Sequence, residues 1–467
     1  MFVSWRARIF GALLISGVAG AAQAQTPSEA ERAQALDLYR RAIAFETSSG
    51  AQTVAMANYL AERFRAGGFP ADDVHVLPSG ETAGLLVRYR GAGAGGRPIM
   101  LLAHMDVVPA LRSDWERDPF TLIEENGFFF GRGAIDNKSG LSLLAATFLQ
   151  LRAEGFRPTR DLILWFSGDE ETTGDTTQAL LRDHRVLLGD AEFALNADAW
   201  GGVVNDEGTP VAFSVQTAEK TYASYTLTAR NPGGHSSQPR PDNAIFDLME
   251  ALSRVRAHRF PVMWNDTTIE SFRATGAQVG GAEGAAMLRF AHRPGDRRAA
   301  ATLSRNPSIV GQLRTTCVPT MLAGGHAENA LPQTAVATVN CRIFPGVAPA
   351  AVQAQLQRLA GDAVAVEQIG TVNASDASPL RQDVIDALTA AVHANYPGVP
   401  LTPSMSSGAT DGVFFRAAGI PTYGAGEAFM RDEDEFAHGL NERNPVASFY
   451  NGLTHWRVLI MELAGKR

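Results

Sequence analysis

His104, Asp136, the pair Glu170-Glu171, Asp198 and His438 follow one another along the chain, each in a setting that suits a metal ligand. His104 and Asp106 interrupt the apolar run IMLLAHMDVV, and Asp136 lies in GRGAIDNKSG. The acidic pair follows LILWFSGDEE, Asp198 follows the apolar EFALN, and His438 sits in the polar EFAHGLNER. Imidazole nitrogen and carboxylate oxygen are ordinary zinc donors. Two zinc ions about 3.5–4 Å apart are common in aminopeptidase-type sites. Such a pair needs a bridging carboxylate, and Asp136 is the natural candidate. His104 and Asp198 then complete one ion, and Glu171 and His438 the other. Asp106, two residues beyond His104, can hold its ring from behind. Glu170 is left without an ion and can act as general base on water. The set predicts a hydrolase with two zinc ions, cobalt or manganese being alternatives. Taken singly, each residue has a plainer role as a solvated or capping carboxylate or a structural histidine. The weight lies in several independent short motifs occurring in one order.

The elements around these residues predict how they are brought together. Helices are expected over 28–44, with Ser28 and Glu31 as a capping box, and over 53–66. Strand-like runs follow at DDVHVLP, GLLVRYRG and PIMLLAHMD. A strong helix over 139–153 precedes an apolar strand at 161–167, a short helix at 177–183 and a strand at 192–196. Strands alternating with helices predict an α/β fold with a mainly parallel central sheet. In such sheets chemistry sits beyond the carboxyl ends of strands, which is where His104, Glu170 and Asp198 fall.

From Thr217 the pattern changes. YASYTLTA alternates as a half-buried strand, a helix is expected over 243–257, and residues 259–310 read as irregular. Two strands carry Cys317 and Cys341, the only cysteines, on either side of a loop at 324–332. Equal distances from the loop centre put them opposite each other, as a disulfide or as two buried thiols. A helix over 349–360, with proline at its first position, and the strand AVAVEQIG complete a strand–helix–strand–strand–helix–strand order. That order predicts a ferredoxin-like α+β unit with an insertion. Helices are expected again at 380–394, from 412 and at 446–463. The expected organisation is a signal segment at 1–24, a discontinuous catalytic domain at 25–216 and 377–467, and an inserted lid or dimerisation domain at 217–376.

Of 467 residues, 45% are hydrophobic and 19% charged, an ordinary globular composition too long for one core. The formal charge is −8, with no basic stripe, so nucleic acid is not an expected partner. Arg6 and Arg8, the apolar 9–21 and Ala22-Gln23-Ala24 read as a cleavable secretory signal rather than a membrane anchor. The expectation is a secreted, periplasmic protein with no membrane span after cleavage.

The ordered motifs resemble the di-zinc metallopeptidase family that includes aminoacylase, glutamate carboxypeptidase, carnosine dipeptidase and succinyl-diaminopimelate desuccinylase. The resemblance covers nearly the whole chain beyond residue 24. It implies a zinc-binding domain with an inserted lid and the roles given above to His104, Asp106, Asp136, Glu170, Glu171, Asp198 and His438. By the same resemblance, His235 in NPGGHSSQP polarises the substrate carbonyl and stabilises the oxyanion. Asn329 in AENALP and Arg342 in NCRIFP contact substrate, the arginine through a carboxylate. Gly408 and Thr410 in SSGATDG belong to a loop beside the metals. The longer lid at 259–310 departs from the compact form, in which the lid histidine reaches a partner's site, and leaves the oligomeric state open between a homodimer and an altered assembly. The implied reaction is cleavage of an amide bond next to a free carboxylate in a small peptide. The alternative substrate is an N-acyl amino acid. A non-catalytic peptide-binding protein is disfavoured by the intact Glu170 and ligand set, and a cytosolic biosynthetic desuccinylase conflicts with the signal segment.

Overall fold

The computed structural model describes residues 26–93, 96–199 and 201–465. The expected signal segment lies outside them. Helix α1 (Glu29–Ala44) starts at the Ser28–Glu31 capping box, and α2 (Gly50–Ala66) begins three residues before the expected start. Strands β1 (Val74–Ser79), β2 (Thr82–Tyr89) and β3 (Ile99–His104) follow, then α3 (Lys138–Ala153), β4 (Leu162–Ser167), α4 (Asp175–Asp183), β5 (Phe193–Asn196) and β6 (Pro210–Glu219). The chain then builds a second sheet with β7 (Thr221–Arg230), α5 (Ala244–Ala257), β8 (Thr316–Gly324), β9 (Thr334–Ile343), α10 (Pro349–Ala360) and β10 (Val364–Ile369). Four further helices, α6 to α9, lie between α5 and β8. After β10 come α11 (Gln382–His393), β11 (Leu401–Ser406), α12 (Gly412–Ala417), β12 (Thr422–Gly424) and α13 (Val446–Ala464).

The main sheet runs β1-β2-β4-β3-β5-β12-β6, continues into the short strands Gly202–Val204 and Phe429–Met430, and carries β11 beside β6. The central strands β4, β3, β5 and β12 are parallel. Both faces of that centre are covered, so β3 and β4 read as unbroken apolar runs. Alternate side chains still divide between two cores. Leu101 and Ala103 enter the larger one with α1, α2, α3, α11 and α13. Met100 and Leu102 join Trp165, Leu180 and Phe415 on the α4 and α12 side. The β3–β4 register puts His104 beside Ser167, so both strands end at one level and release their loops to one side.

The second sheet has the order β8-β9-β7-β10, with α5 and α10 packed on its inner face. This is the ferredoxin-like arrangement. Residues 259–310 correct the sequence reading. They are not irregular but form α6 (Asp266–Val279), α7 (Gly281–His292), α8 (Arg297–Leu303) and α9 (Pro307–Val310) around a small core of their own. Helices α6 and α7 approach closely at glycines: a Cβ on Gly276 would lie 2.9 Å from the Gly284 carbonyl oxygen. Beside this approach Phe272 and Phe290 meet edge to face, with Met287 in the same core. Among the described residues, no helix is long and apolar enough to cross a membrane.

Cys317 and Cys341 face each other across β8 and β9 and form a disulfide, with a sequence separation of 24. Closing a loop of that size removes about 3 kcal/mol of chain entropy from the unfolded state. The double substitution Cys317→Ser and Cys341→Ser is expected to lower lid stability by about that amount. Urea unfolding with and without reductant checks it: the difference should vanish under reduction.

Candidate metal centre

The loops leaving β3, β4 and β5 carry His104, Glu170-Glu171 and Asp198 to the same end of the parallel sheet, as the sequence predicts. Two groups lie close enough to hold an ion each: His104, Asp136 and Glu171, and His104, Glu170 and Asp198, with ligand atoms within 4.8 Å of one another. The second group contains Glu170, which the sequence reading keeps free of metal. Asp136 sits between two imidazoles. Its Oδ1 is 2.9 Å from His104 Nε2, and its Oδ2 is 3.2 Å from His438 Nε2. His438 Nε2 is also 2.9 Å from Glu171 Oε1. A carboxylate with one oxygen directed at each histidine has the shape required to bridge two cations.

His104 is buried, and its Nδ1 is 3.0 Å from the Asp106 carbonyl oxygen and 3.5 Å from the Asp106 carboxylate. The Asp106 carboxylate does more elsewhere. Its two oxygens accept the amide hydrogens of Glu170 and Glu171 at 3.1 and 2.9 Å. One residue therefore fixes both the histidine and the acidic pair. Asp169 shapes the turn that follows by accepting from the Asp175 and Thr176 amides.

The electrostatics are those of a crowded anionic cluster. Burial, followed by the charge of Asp198, pushes the Glu170 pKa well above the usual carboxylate range. Burial, then Asp136, does the same to Asp198. Burial works against a proton on His104, but its bonds to Asp106 and Asp136 and nearby carboxylate charge hold its pKa well above the ordinary value. Bonds to Asp136 and Glu171 raise His438 to about 10. Burial opposes the charge on Asp136, yet the two histidines hold its pKa low. A donor set with this many carboxylates demands compensating positive charge. Hard divalent cations satisfy the same demand, and the mixed imidazole–carboxylate donors fit zinc.

A cavity of about 440 Å³ opens beside Asp136 and Asp198. Small and apolar residues dominate its walls, among them Ala199, Gly202, Val203, Met405 and Met430. Gly408 and Thr410 line it. His235, Asn329 and Arg342 do not line it. His235 and Asn329 lie together and exposed on a two-strand ladder, where Ser236 N–H donates to the Asn329 carbonyl at 3.1 Å. Ser237 donates to His235 Nδ1 at 2.8 Å if that nitrogen is unprotonated. Arg342 lies over the Tyr222 ring and donates to the Ser407 carbonyl at 2.7 Å, beside the cavity loop.

The sequence reading missed two buried carboxylates behind the cluster. Glu442 Oε1 accepts the Ile135 and Asp136 amides at 2.8 and 3.0 Å, and Oε2 accepts Gly133 N–H at 3.0 Å and Arg132 at 2.8 Å. Arg132 also donates to the His438 carbonyl at 3.3 Å. One side chain therefore shapes both loops that meet on Asp136. Glu442 stands four residues after His438 in a polar loop, where only the neighbouring ligand gave a signal. The second, Glu219, ends β6 and pairs with Arg416 at 2.8 Å.

Replacing Glu442 by alanine leaves buried Arg132 and three loop amides without their acceptor. It is expected to cost about 3–5 kcal/mol and to weaken metal retention. Urea denaturation and metal content after dialysis check this; unchanged values in both would remove Glu442 from this role.

Comparison with known proteins agrees with the geometry. The pattern of Peptidase family M20/M25/M40 matches residues 100–462. The chain is 28% identical over 368 residues to the N-fatty-acyl-amino acid synthase/hydrolase PM20D1 of Xenopus tropicalis, covering 77% of this chain and 71% of that one. It is 27% identical over 416 residues to aminoacylase-1 of Mus musculus, covering 87% and 89%. In fold it is similar to the M20 family metallo-carboxypeptidase Sso-CP2 of Sulfolobus solfataricus, with TM-score 0.71, 18% identity, and coverage of 92% and 99%. A match spanning most of the chain, including the candidate ligands, shows that it belongs to peptidase family M20/M25/M40 and is a metallohydrolase of amide bonds.

Proposed function

We propose that the protein hydrolyses the amide bond between an apolar acyl group and an amino acid with a free carboxylate. The observation that carries the hydrolytic centre is Asp136, with its two oxygens directed at His104 and His438. In this reading His104, Asp136, Glu171, Asp198 and His438 would hold two divalent metal ions, for which zinc suits the donors. The ions, when bound, acidify water and polarise the scissile carbonyl. Glu170 takes the proton of the attacking water and returns it to the leaving nitrogen. Burial and the neighbouring Asp198 charge raise its pKa, which makes its carboxylate a stronger base toward the proton of water. Asp106 keeps Glu170 and Glu171 in place through their amides.

The cavity supports the choice of acyl group. Apolar and glycine-lined walls next to Asp198 accept a hydrocarbon chain better than a charged one. The similarity to N-fatty-acyl-amino acid and aminoacylase proteins runs the same way. A second reading, dipeptidase or carboxypeptidase action, is supported by Glu435 and Arg431 at the cavity wall, which suit polar substrates. Both readings place Arg342 toward the substrate carboxylate and His235 with Asn329 toward the carbonyl. Residues 1–24 support a secreted, periplasmic location in this reading.

The exposed position of His235 and Asn329 requires delivery by lid closure or by a second copy. The lid offers a surface for the latter. Edge strand β8 exposes Val318, Met321 and Leu322, and neighbouring α5 exposes Phe246 and Met249. An unpaired, apolar strand edge is a pairing template, and a homodimer through β8 covers it.

Two outcomes are expected. Glu170→Gln should lower turnover about 10²–10⁴-fold on N-acyl amino acids while the metal content of the protein is kept, and chelator should abolish wild-type turnover. Full activity in the metal-loaded variant would remove Glu170 from its role, and cleavage of dipeptides alone would favour the second reading. Met321→Asp with Leu322→Asp should yield a monomer in light-scattering chromatography; a dimer of unchanged mass would rule out the β8 interface.

A further inference from the structure

Glu219 is the last residue of β6 and Thr221 the first of β7, so Lys220 alone separates the main sheet from the lid sheet. That connection is fixed rather than loose. The Lys220 amide donates to the Ser406 carbonyl at 3.0 Å, and its Nζ donates to the Arg314 carbonyl at 2.8 Å. The Glu219 carboxylate is buried at this crossing. It pairs with Arg416 and accepts from Gln216 Nε2 at 2.8 Å. It also accepts from both donors of Thr410, the hydroxyl at 2.6 Å and the amide at 3.2 Å.

From Thr410 the connection runs to the candidate metal centre. Asn196 Nδ2 donates to the Thr410 hydroxyl at 3.1 Å, and Asn196 Oδ1 accepts the Asp198 amide at 3.1 Å. The charge at one end sets the direction of every bond. A carboxylate only accepts, so the Thr410 hydroxyl must donate to it. The hydroxyl's remaining capacity is to accept, which turns the Asn196 NH₂ toward it. The Asn196 carbonyl oxygen then faces Asp198 N–H. A neutral amide at position 219 can donate as well as accept, and removes that constraint.

We propose that Glu219 is a positioning residue that sets the orientation of Asp198 through Thr410 and Asn196, tying the junction between main sheet and lid to the metal centre. The inference rests on the reading of Asp198 as a metal ligand. Glu219 touches no reacting atom; it acts by fixing a backbone whose side chain does.

Cobalt-loaded full-length protein tests it. Visible absorption without substrate reports ligand geometry, and kcat and KM are measured on the substrate found above. Glu219→Gln should alter the cobalt spectrum and lower kcat about 10–100-fold, with KM changed less than about threefold. Thr410→Val is similar in shape and breaks the same connection, leaving the Glu219–Arg416 ion pair in place. It should give the same spectral change, and it decides the matter if Glu219→Gln does not fold. Asp198→Ala is the reference. If it leaves the wild-type cobalt spectrum unchanged, the ligand reading fails. If it changes the spectrum while Glu219→Gln and Thr410→Val do not, the inference is overturned, even when both variants melt at lower temperature.

Discussion

Like charge at close range is the constraint on which this structure turns. Asp136, Glu170, Glu171 and Asp198 converge with ligand atoms a few ångströms apart, in partly or fully buried surroundings. Carboxylates so placed cannot all ionise without compensating positive charge. Bonds to these carboxylates hold the pKa values of His104 and His438 above the ordinary one. Divalent cations would supply the compensating charge directly. The centre is thus suited to metal, and hydrogen bonds from neighbouring residues hold the loops that carry its carboxylates.

Three buried acids do that holding, each from behind. Asp106 accepts two successive amides of the acidic pair. Glu442 accepts three amides of the loop bearing Asp136 and, through Arg132, reaches the His438 loop. Glu219 reaches Asp198 through Thr410 and Asn196. An ionised carboxylate is well suited to this task because it accepts several hydrogen bonds and donates none, so it leaves little freedom in the orientation of its partners. The arrangement also explains where the fold spends rigidity. The parallel strands that end at the cluster are buried throughout, whereas the ladder carrying His235 and Asn329 is exposed.

The lid contributes differently. It has its own core and a disulfide, and the chain crosses to and from it at the single residue between β6 and β7 and at the return to Ser378, whose amide donates to the Thr217 carbonyl. Arg342 and Lys220 carry its contacts to the 404–408 region at the cavity edge. Helices α6 to α9 add a small apolar core, and α6 rests on β11. The added helices therefore lie close to the strand whose residues form part of the cavity wall.

Much of this was legible in the chain itself. The unbroken apolar runs of β3 and β4 announced doubly covered parallel strands, and polar residues right after them marked the functional end. Local spacing revealed the candidate ligands because each short motif carried its own signal. The ferredoxin-like order and the opposition of the cysteines followed from alternation and loop symmetry. The α6–α9 cluster did not, since glycines such as Gly276 and Gly284 interrupt the spacing of the apolar residues that form its core. Glu219, Asn196, Arg416 and Glu442 were silent for another reason. A buried acid looks like a surface acid until its partners are known, and these partners lie up to 310 residues away. Sequence alone determined which residue types arrive at the end of the sheet, because strand periodicity and motif spacing are local. Tertiary structure alone decided that Asp136 faces two histidines and that distant carboxylates hold them, because hydrogen-bond partnership depends on proximity in space, which local sequence does not encode.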